Sequence, residues 1–308
     1  MHKIAVSVGD INGVGIEIAL KAHDEICKFA KPIYCINENL LNRALGILKV
    51  QSPANFNLHE CGENFEILPA NISEQSGKFS FESFEAAINL AVLKEVDAIV
   101  TMPISKEAWS KAGINFVGHT DYLKAKFKQD AIMMLGCDEL FVALYTDHIA
   151  LKDLFSEIKA DKICKFLLNL YKNTKFERIG VLGVNPHASD NGVLGGDEEK
   201  QIKKAINLAN KELQKDIFVG PLVPDAAFTP RSLKRLNRLV AIYHDQGLAP
   251  LKALYFDKSI NVSLNLPVIR TSVDHGTAFD IAYKGLADIS SYIEAVKFAV
   301  KLCEKRSL

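Results

Sequence analysis

Short runs rich in Val, Ile and Leu recur along this chain, and longer segments with helical apolar spacing separate them. Consecutive parallel strands can be joined only by a crossover, so this alternation predicts a mostly parallel sheet covered by helices. The candidate strands are Lys3–Val8, Pro32–Ile36, Ala98–Met102, Ala131–Leu135, Leu140–Thr146, Arg178–Val184 and Leu239–Tyr243. The candidate helices are Gly15–Phe29, Phe81–Val96, Ser156–Tyr171, Gly196–Gln214 and Ala287–Lys305. The expected class is α/β. The polar tract Gln51–Gly77 lacks clear periodicity and reads as a surface excursion with short strands.

With 308 residues the chain has room for two domains of roughly 100 to 200 residues each. Lys plus Arg and Asp plus Glu both total 37, so no chain-wide positive field exists to draw in nucleic acid or an anionic membrane. A small molecule is the expected partner. Apolar runs such as Ala131–Leu135 and Phe141–Tyr145 are far shorter than the roughly 18 residues of a spanning helix. The opening MHKIAVSVGD leads straight into a strand with no secretory signal pattern, and the expected location is the cytoplasm. The six cysteines show no CxxC pair or metal-like spacing, which fits thiols in a reducing compartment.

Several strands end directly in chemically capable residues: Gly9-Asp10, Pro103-Ile104-Ser105-Lys106, Asn185-Pro186-His187 and His244-Asp245. Ligands of open α/β sheets bind beyond the carboxyl ends of strands, so these loops are the candidate site. Three of the eight histidines, His148, His187 and His244, end or follow apolar strands. Three imidazoles from separate loops are a common way to hold a divalent ion while leaving positions open for substrate. Structural or general-base histidines are the alternative that pattern alone leaves standing. Asp147, Asp225 and Asp245 lie in similar settings, as imidazole partners or as turn and cap residues.

A second group suits an anion: His119 and Thr120 in VGHTDYL, Lys252, Asn261, and Arg270 in LPVIRTS. Thr120 or Asp121 is the expected cap of a helix Tyr122–Phe127, and a helix start is itself a favourable place for an anion. The segment from Tyr243 to Ala282, which holds YHDQGLAPLK and LPVIRTSVDHGTAFDIA, reads as functional loops between short strands. The glycines of GDINGVGIEI do not form GxGxxG, and neither a P-loop nor a GxSxG elbow occurs. A nucleotide must then be held by other loops. HGTAFDIA is the candidate, through His275, Gly276, Thr277 and Asp280, with Gly276 allowing close backbone approach.

Taken together, GDINGVGIEI, TMPISKEAW, GHTDYL, TDHIALKDL, NPHASDNGVLGGDEE, GPLVPDAAFTP, YHDQGLAPLK and IRTSVDHGTAFDIA resemble the 4-hydroxythreonine-4-phosphate dehydrogenase family of the pyridoxal phosphate pathway, over nearly the whole chain. HGTAFDIAYKGLAD is also similar to the cofactor loop of isocitrate and isopropylmalate dehydrogenases. The resemblance implies their two-domain fold, with the active site in an interdomain cleft and a division into 1–118 plus 275–308 and 119–274. It implies that His148, His187 and His244 bind one divalent ion (zinc, magnesium or cobalt), shared between the subunits of a homodimer. It further implies that His119, Thr120, Lys252, Asn261 and Arg270 bind the phosphorylated substrate. This sequence departs from the usual pattern at Ile11 and Ile16, at Ser189-Asp190-Asn191 in place of a Gly-Glu-Gly type loop, and at Ala226-Ala227.

The reaction so implied is oxidation of the substrate's secondary alcohol by NAD, with NADP as the alternative, followed by decarboxylation of the β-keto acid. Two competing activities are a dehydrogenase of a phosphorylated four-carbon sugar acid and a phosphate acyltransferase on a related fold. A non-catalytic module that binds a phosphorylated metabolite is a third reading.

Overall fold

The structure, a computed structural model, describes residues 1–306. The strands are β1 (His2–Ser7), β2 (Ala30–Cys35), β3 (Leu58–His59), β4 (Ala98–Thr101), β5 (Ile132–Cys137), β6 (Leu140–Leu144), β7 (Ile179–Leu182), β8 (Phe218–Leu222), β9 (Arg238–Ala241), β10 (Ile260–Leu264) and β11 (Arg270–Val273). The chain falls into two compact units, Met1–Ala131 with Ile260–Leu308, and Ile132–Ser259. The segments 119–131 and 260–274, which the sequence assigns to the second domain, thus belong to the first unit. The cause is pairing and packing: β11 pairs in parallel with β4, and Leu123 of the helix His119–Phe127 is buried among Phe84, Ile88 and Trp109.

Strand order in the first unit is β3-β2-β1-β4-β11-β10, and in the second β5-β6-β9-β7-β8. Neighbours are parallel except for β10–β11 and β5–β6. Both exceptions follow from connection length. Asp138 and Glu139 alone join β5 to β6, and Asn265 to Ile269 join β10 to β11, whereas a parallel return needs a dozen residues or more. Helices cover the parallel strands, and Ile4, Ala5 and Val6 of β1 are fully buried, as strands covered on both faces must be.

All seven strands expected from the sequence are present. The unexpected ones are β3, β8, β10 and β11, and in β10 and β11 Asn261, Ser263, Arg270 and Ser272 interrupt the apolar run that marks a strand. The expected helix Ser156–Tyr171 is two, Leu151–Glu157 and Ala160–Thr174, separated at Lys159, whose backbone is extended. The helix Glu38–Leu48, capped by the Asn37 side chain at 2.8 Å from the Leu40 amide, is additional. The segment read as a loop, YHDQGLAPLK, is the start of a helix, His244–Tyr255, with Pro250 inside it. Its glycine is a packing requirement: a Cβ at Gly247 would stand 2.6 Å from Val142 and 2.8 Å from Ala241. The six cysteines are free thiols.

The first unit's core centres on Trp109, whose indole donates to Ser80 Oγ at 2.7 Å. That helix, Lys106–Lys111, touches the helix Glu74–Val92 so closely that a Cβ at Gly77 would stand 2.1 Å from the Ala108 carbonyl oxygen. Gly77→Ala should therefore destabilise the protein by about 1–3 kcal/mol through overpacking, outweighing roughly 1 kcal/mol of gained helix propensity. Gly46→Ala, in the helix Glu38–Leu48 with nothing within 4 Å, should instead stabilise by about 0.5–1 kcal/mol. Urea unfolding of both variants checks the opposite signs.

Candidate active site

In the first unit, β1, β4 and β11 run in parallel, and their carboxyl ends carry the loops Val8–Val14, Met102–Ser105 and Asp274–Asp280. The first and last interlock, since the Val14 amide donates to the Thr277 carbonyl at 3.0 Å. A Cβ on Gly13 would strike that same carbonyl at 2.8 Å.

Arg270 opens β11 in register with Ile99 of β4 and Ser263 of β10. Its side chain is buried, 3 % exposed, and donates to Thr101 Oγ1 from Nε (3.1 Å) and Nη2 (2.8 Å) and to Ser263 Oγ from Nη1 (3.0 Å). Those partners are neutral hydroxyls. Burial lowers the guanidinium's pKa to about 9, so it stays charged at neutral pH. Taking a cation out of water costs several kcal/mol unless an opposite charge offsets it.

His119 and Thr120 begin a nine-residue helix in the same unit. Gly118 occupies its N-cap, and Asp121 instead accepts from the Val117 amide at 3.2 Å, so the helix begins ahead of the expected Tyr122 and neither expected cap acts as one. The His119 ring lies edge-on to Phe84 and Trp109, at centroid distances of 4.5 and 5.6 Å. Burial, then the charge of Arg270, holds its pKa well below the usual imidazole range, which makes it a neutral donor or acceptor. Its Nε2 is buried without a hydrogen-bond partner, as is Asn261 Oδ1 on β10. Thr120 Oγ1 lies 3.2 Å from Ser263 Oγ, which ties it to the hydroxyl that Arg270 uses.

Four of the five anion-binding candidates, His119, Thr120, Asn261 and Arg270, are thus in the first unit, with Thr120 and Arg270 linked through Ser263. The sequence reading missed Thr101 and Ser263. Their signal was faint: hydroxyl residues inside strands whose neighbours are apolar. Lys252 lies in the second unit on the helix His244–Tyr255, its ammonium 5.6 Å from the centre of the Phe256 ring.

The three histidine loops occupy the carboxyl ends of β6, β9 and β7, which are consecutive parallel neighbours in the second unit. The structure brings two of them together: the His148 and His244 rings are 5.7 Å apart and line an open pocket of about 270 Å³ with Thr146, Asp147, Tyr243 and Asp245. Asp245 Oδ1 is 2.6 Å from His244 Nδ1, which assigns that nitrogen the proton and leaves the Nε2 lone pair for a ligand. Asp147 accepts from the His148 backbone amide at 2.8 Å. His187 is exposed and does not line this pocket. Among the described residues, no group of three His, Cys, Asp or Glu side chains is arranged to hold a metal ion. Asp225 is exposed in the short helix Pro224–Ala227.

The cofactor candidates His275, Gly276, Thr277 and Asp280 share the loop after β11. Gly276 is exposed, and a Cβ built there meets nothing within 4 Å, so no contact inside the protein requires glycine at that position. His275 Nδ1 lies 2.9 Å from the Gly276 carbonyl, and Asp280 is exposed. No helix among the described residues is long and apolar enough to cross a membrane.

The model of the family "Pyridoxal phosphate biosynthetic protein PdxA" matches residues 28–299. A 4-hydroxythreonine-4-phosphate dehydrogenase of Campylobacter fetus is 66% identical over 99% of both chains, and one of Sulfurimonas denitrificans is 56% identical over 98% of both. Among solved structures, a 4-hydroxythreonine-4-phosphate dehydrogenase of Klebsiella pneumoniae superposes with a TM-score of 0.84 at 31% identity, covering 98% of this chain and 100% of that one. The chain belongs to the PdxA family of pyridoxal phosphate biosynthetic proteins.

Proposed function

We propose that the chain oxidises 4-hydroxythreonine 4-phosphate with NAD and releases carbon dioxide, giving 3-amino-2-oxopropyl phosphate for pyridoxal 5'-phosphate synthesis. The observation that carries this reading is the buried Arg270 guanidinium, held by the hydroxyls of Thr101 and Ser263 with no ion pair to it among the described residues. Such a pocket favours a multiply charged, oxygen-rich anion, and phosphate meets that need. The names of the relatives supply the rest of the substrate. The acyltransferase reading is not favoured by these relatives.

Arg270 holds the phosphate and thereby fixes the carbon that reacts. His119, kept neutral by its burial, donates to a phosphate oxygen without adding a second buried positive charge. Thr120 supplies a further hydroxyl, and we assign Asn261 and Lys252 to the substrate as well. The donor chemistry of His148 and His244 fits a divalent ion of borderline softness, zinc or cobalt, with magnesium the oxygen-preferring alternative. We assign His187 of a second copy of the chain as the third imidazole of this site. When bound, the ion would supply Lewis acidity toward the alcohol and the β-keto acid, and a nicotinamide would supply the hydride acceptor. Asp245 keeps the His244 ring in the tautomer and orientation that present Nε2.

The loop that holds Gly276 is assigned to the dinucleotide, its open Cα face leaving room for backbone approach. A homodimer is part of the proposal, supported by the exposed apolar side chains that flank the histidine loops: Leu151, Phe155, Val193 and Leu194 are 62, 52, 78 and 46 % exposed. The cytoplasm is the assigned compartment.

NADH formation decides the substrate: turnover of 4-hydroxythreonine 4-phosphate should far exceed that of a phosphorylated four-carbon sugar acid, and the reverse preference overturns the reading. Arg270→Lys should lower kcat/KM for the phosphorylated substrate by roughly 10- to 100-fold, from the loss of charged hydrogen bonds. Its effect on unphosphorylated 4-hydroxythreonine should be small. Treatment with a chelator should abolish turnover, and added zinc, cobalt or magnesium should restore it; activity that survives chelation removes the metal from the account.

A further inference from the structure

His187 sits in the run Pro186–Gly192 after β7, where five consecutive residues, His187 to Asn191, have φ of 53°, 49°, 67°, 42° and 56°. None of the five is glycine, and each L side chain here crowds the following carbonyl oxygen. A left-handed turn of this kind persists only where its surroundings over-determine it.

One buried carboxylate does so. Glu199, 6 % exposed in the first turn of the helix Asp197–Leu213, accepts at Oε1 from the amides of Val184 (2.9 Å) and Asn185 (2.7 Å). At Oε2 it accepts from Asn185 Nδ2 (2.7 Å) and Ser189 Oγ (2.5 Å). Asn185 and Ser189 lie two residues before and two after His187. The turn is also pressed onto the sheet, where a Cβ at Gly183 would stand 2.9 Å from the Ala188 methyl. Both flanks are therefore anchored to one side chain, and His187, which is exposed, lies between them.

We propose that Glu199 is the positioning residue for His187, fixing the left-handed turn so that the imidazole reaches its ligand in one geometry. The inference rests on the reading of His187 as a metal ligand. Every group that Glu199 meets in these four bonds is a donor, so an ionised carboxylate satisfies all four. A glutamine must turn its own NH2 toward two of them, whichever way it flips.

The test is calorimetric titration of the full-length, metal-free protein with cobalt(II), together with amide hydrogen exchange over residues 187–195. Glu199→Gln should weaken cobalt affinity 10- to 100-fold, the usual scale for losing a partner behind a ligand, and should speed exchange in the turn without metal. Ser189→Ala, the milder change, should give a smaller loss in the same direction. In a His187→Ala background, Glu199→Gln should change cobalt affinity less than about threefold, because a residue that acts through His187 has nothing left to position. An equal loss in both backgrounds, or wild-type affinity with unchanged exchange in Glu199→Gln, overturns the inference while leaving His187 a ligand. Wild-type affinity in His187→Ala alone overturns the ligand reading itself, and the inference with it.

Discussion

The interaction on which the first unit's candidate site depends is a buried positive charge, Arg270, to which no described residue supplies an ion pair. Arg270 is buried between Thr101 and Ser263, and hydroxyls satisfy the direction of its N–H groups but not its charge. The surrounding architecture follows from that requirement. Strand β10 must turn back beside β11 to bring Ser263 into register with Arg270, and β4 must end where Thr101 meets the guanidinium. Phe84 and Trp109 set the His119 ring and help to keep it neutral by excluding water. A single buried cation beside a neutral imidazole is a less costly arrangement than two buried cations.

Much of this was legible in the residues. The seven strands that read as apolar runs are present because strands of a covered parallel sheet bury both faces. The two that hold Ser263 and Arg270, β10 and β11, are not legible, since Asn261, Ser263, Arg270 and Ser272 interrupt their apolar runs. The polar, glycine-bearing mixture of YHDQGLAPLK reads as a loop, yet Gly247 and Pro250 lie within the helix His244–Tyr255, where Gly247 packs closely on Val142 and Ala241. The expected domain boundary placed 119–131 and 260–274 with the second domain, and only long-range pairing assigns them to the first unit.

The candidate residues fared according to how much of their role is local. His148, His187 and His244 follow strands that prove to be neighbours, so the three loops lie at adjacent strand ends, as reading them from the ends of apolar runs implies. Which imidazoles approach each other is a matter of loop geometry, and no spacing rule encodes it. Two meet over one pocket; the third stands apart on a left-handed turn. Thr101, Ser263, Asp245 and Glu199 hold Arg270, His244 and the His187 turn in place, and such supporting residues have no sequence signature beyond being polar in an apolar or crowded setting.

We assign the substrate's phosphate to the Arg270 pocket. A crystal structure of the protein with 4-hydroxythreonine 4-phosphate and a divalent ion tests that assignment most directly. Phosphate oxygens should lie within hydrogen-bonding distance of the Arg270 guanidinium and of His119 Nε2. A phosphate bound elsewhere, with Arg270 still contacting only Thr101 and Ser263, contradicts it.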